Sequence, residues 1–150
     1  MTISTEFKHL NSEAAILAAF HVMQELRPHL QNAQSFASQI ARQHAQGYRL
    51  LAAFDQEKVL GLAGYRLQEN LLYGKFIYVD DLVVTASVQR SGLGGQLIDA
   101  VRTEAVTLGC RNFVLDTGLG MALAQRFYFR QGLLAKGMHF AEVLVSEGAN

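Results

Sequence analysis

The sequence predicts a single α/β domain over residues 1–150, of the α+β kind with a mixed sheet. Three observations carry this. The chain has 150 residues, half of them hydrophobic and 17% charged, with zero net charge; that is one domain's length, long enough to bury a full core. Its first half reads as helices followed by β-rich runs joined by short polar turns. Its second half reads strand, helix, strand, helix, strand, and the combined order calls for a mixed sheet.

Asn11-Ser12-Glu13 gives a capping residue and a first-turn acid before an apolar-rich stretch that Pro28 closes, so a helix is expected over 12–27. A second fits 32–46, where Phe36 and Ile40 share a face and Gly47 suits the position after the end. Tyr48–Phe54 and Val59–Leu67 read as strands around the polar turn Asp55–Lys58. Gln68–Gly74 is a second turn, and Lys75–Thr85 a long strand. Leu93, Leu97, Val101 and Leu108 mark a helix over Gly92–Leu108, ended by Gly109. Phe113–Leu115 is continuously apolar, as in a strand covered on both faces. Ala122–Gln131 reads as a helix stopped by Gly132, and Leu133–Val145 as a final strand region that could bend at Gly137.

Composition excludes several classes. Balanced charge removes any long-range pull toward nucleic acid or an anionic membrane. One cysteine, Cys110, excludes a disulfide framework and a cysteine-rich zinc site. Met1–Leu10 lacks the apolar run of a signal peptide, and Ala14–Met23 is too short to span a bilayer. A cytoplasmic protein is expected. His9, His21, His29, His44 and His139 are scattered without metal-ligand spacing, so no metal is expected.

The most informative segment runs from Val83 to Gly95, where a strand passes through a polar link into Gly92, Gly94 and Gly95 at a helix start. Free N–H groups there, with the helix dipole behind them, favour an anion, and glycines let a phosphate approach closely. Arg90 could add charge. A plain turn is one reading. A dinucleotide loop is another, but Leu97 stands where its third glycine belongs. A Walker loop is excluded, because no Lys-Ser or Lys-Thr follows the glycines.

Gln89-Arg90-Ser91-Gly92-Leu93-Gly94 resembles the Q/R-x-x-G-x-G/A signature of the GCN5-related N-acetyltransferases (GNAT superfamily). Asp81-Leu82-Val83-Val84 stands where that family has its D/E-L-x-V strand end. Met121–Leu133 resembles the second motif, N-x-x-A-x-x-L/F-Y-x-x-x-G-F, departing at Met121 and Leu133. The element order matches over nearly the whole chain.

The resemblance implies a GNAT acyl-CoA N-acyltransferase fold and transfer of an acetyl group from acetyl-CoA to a primary amine. The pyrophosphate would rest on backbone amides of Gln89, Arg90, Ser91, Gly92, Leu93, Gly94 and Gly95. The pantetheine arm would pair with backbone groups of Leu82, Val83 and Val84, with an N–H near Val84 meeting the thioester oxygen. Tyr128 would be the general acid for the departing thiolate. An alkylamine of pKa ~10.4 is neutral in only about one part in 2,500 at pH 7, so a base is needed. Asp80 is the first choice and Asp81 the second; on a regular strand their side chains point to opposite faces, with Tyr78 on Asp80's side. Either aspartate could instead only structure the adjacent loop. Met23, Arg27 and His29 fall in the family's acceptor-binding region, and Arg126 and Arg130 flank Tyr128.

The expected acceptor is a small-molecule amine, reached by direct attack in a ternary complex. The alternatives are a protein or peptide amine, or a non-catalytic CoA-binding module. Phe140–Val145 would allow a homodimer.

Overall fold

Ser12 opens the first helix as expected: its Oγ accepts the Ala15 N–H at 3.2 Å. In the computed structural model, which describes residues 5–145, the helix expected over 12–27 is two. α1 spans Glu13–Ala18 and α2 spans Phe20–Leu26. Between them the Ala19 N–H bonds the Ile16 carbonyl at 3.1 Å, a tightened three-residue turn. Ala19 is fully buried, and such a turn leaves no mark on the apolar pattern. Pro28 bars Arg27 from helical geometry, so Arg27 turns out at φ −119° and ψ 75°. α3, Ala33–Ala45, is capped by Asn32 and followed by Gly47 at φ 97°.

A strand at Glu6–His9 (β1) joins four others: β2 (Tyr48–Asp55), β3 (Lys58–Asn70), β4 (Gly74–Val84) and β5 (Asn112–Leu115). They form one sheet in the order β1-β2-β3-β4-β5, antiparallel throughout except for the parallel β4–β5 pair. The expected mixed sheet is present. α4 spans Leu93–Thr107 after a 3₁₀ turn at Ala86–Val88.

The sheet separates two apolar clusters. Leu50 and Ala52 of β2 face Val22, Met23 and Phe36; Leu51 and Ala53 face Leu97 and Val101 of α4. Both faces are covered, which is why β2 and β3 read as unbroken apolar runs. Phe113–Leu115 does not have that coverage. β5 is the sheet's edge, and these three residues are only partly buried.

The described residues divide between Leu115 and Asp116 into two compact units. The second contains α5, Ala122–Arg130, closed by the Leu133 N–H on the Tyr128 carbonyl at 3.1 Å. The strand expected over Leu133–Val145 is not formed. A strand needs a ladder partner for its backbone groups, and this segment has none among the described residues of its own unit.

Candidate active site

A β-bulge at the middle of β4 builds the site. Across the β3–β4 ladder Gly64 stands opposite Asp81 and Tyr65 opposite Val79, so Asp80 is an extra residue on β4. The bulge cancels the strict alternation expected of Asp80 and Asp81. Both carboxylates instead join one network on the face of Tyr48 and Arg66.

Asp81 is held by three donors. Arg27 Nε and Nη2 reach Oδ1 at 3.1 and 2.9 Å, and the Tyr48 hydroxyl donates to Oδ2 at 2.8 Å. The same Arg27 Nη2 also donates to the Asp80 carbonyl at 2.9 Å. Asp80 Oδ2 accepts from Arg66 Nε at 2.7 Å, while its Oδ1 accepts no hydrogen bond from the described residues. The Arg66 guanidinium lies 5.7 Å from the centre of the Tyr48 ring, closing the chain of contacts.

Tyr48 reaches Asp81 by crossing the backbone of Gly64. A Cβ on Gly64 would overlap the Tyr48 ring and hydroxyl, so glycine is required there for space rather than for its dihedrals. Burial, and then the charge of Asp81, push the Tyr48 pKa well above 10. The hydroxyl is therefore a fixed donor. Burial also raises the pKa of Asp80, against the opposing pull of Arg66. A raised carboxylate pKa means a stronger base.

Beyond the bulge, one edge of β4 has no ladder partner among the described residues. Pairing with β5 stops at Val79 and Leu115, whereas pairing with β3 continues to Val84. The Thr85 N–H bonds the Leu60 carbonyl on β3 at 2.8 Å. Backbone groups alternate sides along a strand, so the N–H and C=O of Val84 face the open edge. The Gln89 side chain holds that carbonyl at 3.2 Å. An extended amide chain could add there as a further strand.

The glycine loop follows. Gly92 opens α4 at φ 86° and offers no side chain as a cap; the Leu93 N–H donates to the Ser91 Oγ at 3.4 Å, and the amides of Gly94 and Gly95 follow in the first turn. Arg90 is exposed and takes φ 66°, a left-handed conformation that a side chain disfavours. Leu93, by contrast, is buried and anchors α4 to the sheet.

Tyr128 lies on α5 in the second unit, part-buried, its ring centre 5.4 Å from that of Phe127. Arg126 and Arg130 on the same helix are exposed. Met23 packs in the core instead of lining an acceptor site, His29 is exposed, and Arg27 turns to the aspartates. Cys110 packs beside the α4 cluster, and burial raises its thiol pKa. Among the described residues no group of His, Cys, Asp or Glu is arranged to hold a metal, and no helix is long and apolar enough to cross a membrane.

Residues 16–133 match the acetyltransferase (GNAT) family model. The chain belongs to the GNAT acetyltransferase family. It is 27% identical over 121 residues to the uncharacterized N-acetyltransferase YhdJ of Bacillus subtilis (strain 168), covering 81% of this chain and 85% of that one. Aminoglycoside N-acetyltransferase AAC(6')-Iy, solved with CoA, shares the fold at TM-score 0.82 and 16% identity, over 95% of this chain and 96% of that one. Glucosamine-6-phosphate N-acetyltransferase of Arabidopsis thaliana does so at TM-score 0.74 and 14% identity, over 95% and 99%. The GNAT fold and N-acetyltransferase class expected from the sequence are those of this family and its relatives.

Proposed function

We propose that residues 1–150 act as one acetyl-CoA-dependent N-acetyltransferase domain, and that the acceptor is a primary amine on a small cytoplasmic molecule. The observation that carries this reading is continuity along β4. A basic carboxylate, an open strand edge and a glycine loop at a helix start follow one another between Asp80 and Gly95. The family match crosses the boundary between the two compact units, which supports treating them as one domain. AAC(6')-Iy is bound to CoA, and relatives of this fold are named for aminoglycoside and glucosamine phosphate acceptors. These support a small-molecule acceptor.

The open edge and the loop fit the cofactor by chemistry. Leu82 and Val84 turn backbone groups to the open edge, where an amide-containing arm can pair, and Val83 between them fixes the stretch to β3. The amides of Gln89 through Gly95 offer donors to a pyrophosphate, and Arg90 offers charge.

Asp80 is the base in this reading, not Asp81. Both Asp81 oxygens are committed to Arg27 and Tyr48, whereas Asp80 keeps Oδ1 for an ammonium and is made more basic by burial. Asp80 takes the ammonium proton, directly or through water. The neutral amine forms the new N–C bond at the thioester carbonyl, whose oxygen meets the Val84 N–H. The C–S bond breaks, the new amide nitrogen gives up its remaining excess proton and the departing sulfur takes one up; the family resemblance implies Tyr128 as the group that donates to that sulfur. No nucleophile is needed on the protein.

The test is a thermal-shift titration with acetyl-CoA and CoA against NAD and ATP, followed by an amine screen read by thiol release. A ligand at 100 times its Kd adds about 2.7 kcal/mol of stability, a rise of roughly 5–10 °C. A rise with both CoA ligands only, and thiol release with a small amine, is the expected outcome. A rise with NAD alone, or with none of the four, overturns the reading. Thiol release with peptides alone would replace the acceptor.

A further inference from the structure

Glu25 makes a contact that the chemistry above does not use. It is exposed on the last turn of α2, yet both oxygens are engaged with the link between β4 and the glycine loop. Oε2 accepts from the Thr85 hydroxyl at 2.5 Å, and Oε1 accepts from the Ala86 N–H at 3.0 Å. Thr85 is the last residue before the 3₁₀ turn, and Ala86 is its first. The turn has no cap from its own side chains. Glu25 supplies one from 61 residues away.

Arg27, two residues on, holds the other end of the same stretch at Asp80 and Asp81. Two neighbouring side chains of one helix end thus pin β4 on either side of Leu82–Val84. Leu82 and Val84 carry the groups of the open edge, and among the described residues β3 alone pairs with this stretch. A strand held on one side only is free to twist or shear unless something fixes its end.

We propose that Glu25 is a positioning residue for cofactor binding. It locks the Thr85–Ala86 link so that the open β4 edge and the amides of the glycine loop keep one spacing. The inference rests on the proposed CoA reading, in which the edge takes the pantetheine arm and the loop takes the pyrophosphate. A long ligand gripping two subsites gains from their fixed separation, since its second contact is then intramolecular. A short ligand touching only the loop gains nothing from it. A negative charge near a phosphate loop would by itself weaken binding, so the benefit must come from geometry.

The test is calorimetry of the full chain with CoA and with adenosine 3′,5′-bisphosphate, a fragment that lacks the pantetheine arm. Glu25→Ala should raise the Kd for CoA about tenfold, the scale of one net hydrogen bond, and change the fragment's Kd by less than about twofold. Glu25→Gln keeps an acceptor for Ala86 and a donor for the Thr85 oxygen, and it should recover most of the CoA affinity. Thr85→Val, made from the other side of the contact, should show a smaller loss that does not add to that of Glu25→Ala. A CoA Kd within about twofold of wild type in Glu25→Ala overturns the inference, as do equal losses for CoA and fragment. Tighter CoA binding in Glu25→Gln than in wild type also overturns it, by showing that the charge only repels. Absence of CoA binding by the wild type overturns the cofactor reading itself.

Discussion

The bulge on β4 and the glycine loop at its end lie on one run of chain yet are built on opposite principles. At the bulge every carboxylate oxygen but one is engaged, the tyrosine is fully buried, and a glycine exists only to let that tyrosine pass. At the loop the capping glycine uses no side chain, and an arginine sits exposed in a strained conformation. In the proposed reading the bulge holds a base, which must be kept in one place and kept basic, and packed surroundings with few donors serve that. In the proposed reading the loop presents N–H groups to a phosphate, which is not part of the chain, so its helix start is built of glycines rather than of capping side chains. Substitutions at the bulge should therefore cost rate or stability, and substitutions in the loop should change affinity.

The largest effect is expected at Asp80. Asp80→Asn should lower kcat/KM about 100-fold or more, as loss of a general base commonly does. The pH profile gives the sharper reading. With the Asp80 pKa raised above its ordinary 3.8, wild-type activity should fall as pH drops through that raised value, and the variant should lose this limb. The stability effect has the opposite sense. A raised folded pKa gives a contribution that is full below the ordinary pKa and is lost as pH rises through the raised one. Asp80→Asn should remove that loss, so denaturation midpoints of the variant should vary less with pH than those of wild type. An inactive variant with an unchanged pH limb in its residual activity would make Asp81 or another group the base.

Gly64→Ala comes next. The new methyl collides with the Tyr48 ring and hydroxyl, and overpacking of this kind costs about 3 kcal/mol at the upper end of the usual range. Urea unfolding should show it. Tyr48→Phe keeps the ring and removes only the donor to Asp81, which should cost about 2 kcal/mol as a hydrogen bond to a charged group. The two losses should not add, because a displaced Tyr48 has already left Asp81. Additive losses would show that the tyrosine and the glycine act independently, and the account of the bulge as a packed unit would fail.

The loop was the part most legible in the sequence, and the bulge the least. Gln89–Gly95 lies within seven consecutive residues, and local spacing carries its meaning. Ser12 and Gly47 were readable for the same reason, since a cap or a helix stop acts on its nearest neighbours. The adjacent aspartates were visible, but not what joins them. Tyr48 and Asp81 are 33 residues apart and Arg27 and Asp81 are 54 apart; only the sheet register brings them together. A bulge is a mismatch between two strands, and one strand's alternation does not contain it. The turn at Ala19 and the missing strand over 133–145 escaped for related reasons. The first changes one hydrogen bond without changing which residues are apolar. The second has the composition of a strand, but composition does not supply a ladder.

Arg90 offers the smallest effect and the cleanest separation of the two regions. A non-glycine residue at φ 66° bears a strain that is worth roughly 1 kcal/mol, and glycine would relieve it at the same backbone geometry. Arg90→Gly should therefore raise stability by up to about 1 kcal/mol in urea unfolding. The same change removes the guanidinium from the edge of the amide loop, so the Kd for CoA should rise several-fold, with the increase shrinking at high salt as the wild type's charge is screened. A more stable protein that binds its cofactor less well is the signature of strain kept for function. Higher stability with unchanged affinity would make Arg90 a strained surface residue and leave the loop's grip on phosphate to its backbone alone. Lower stability would mean that the arginine side chain contributes more to holding the loop than its conformation costs.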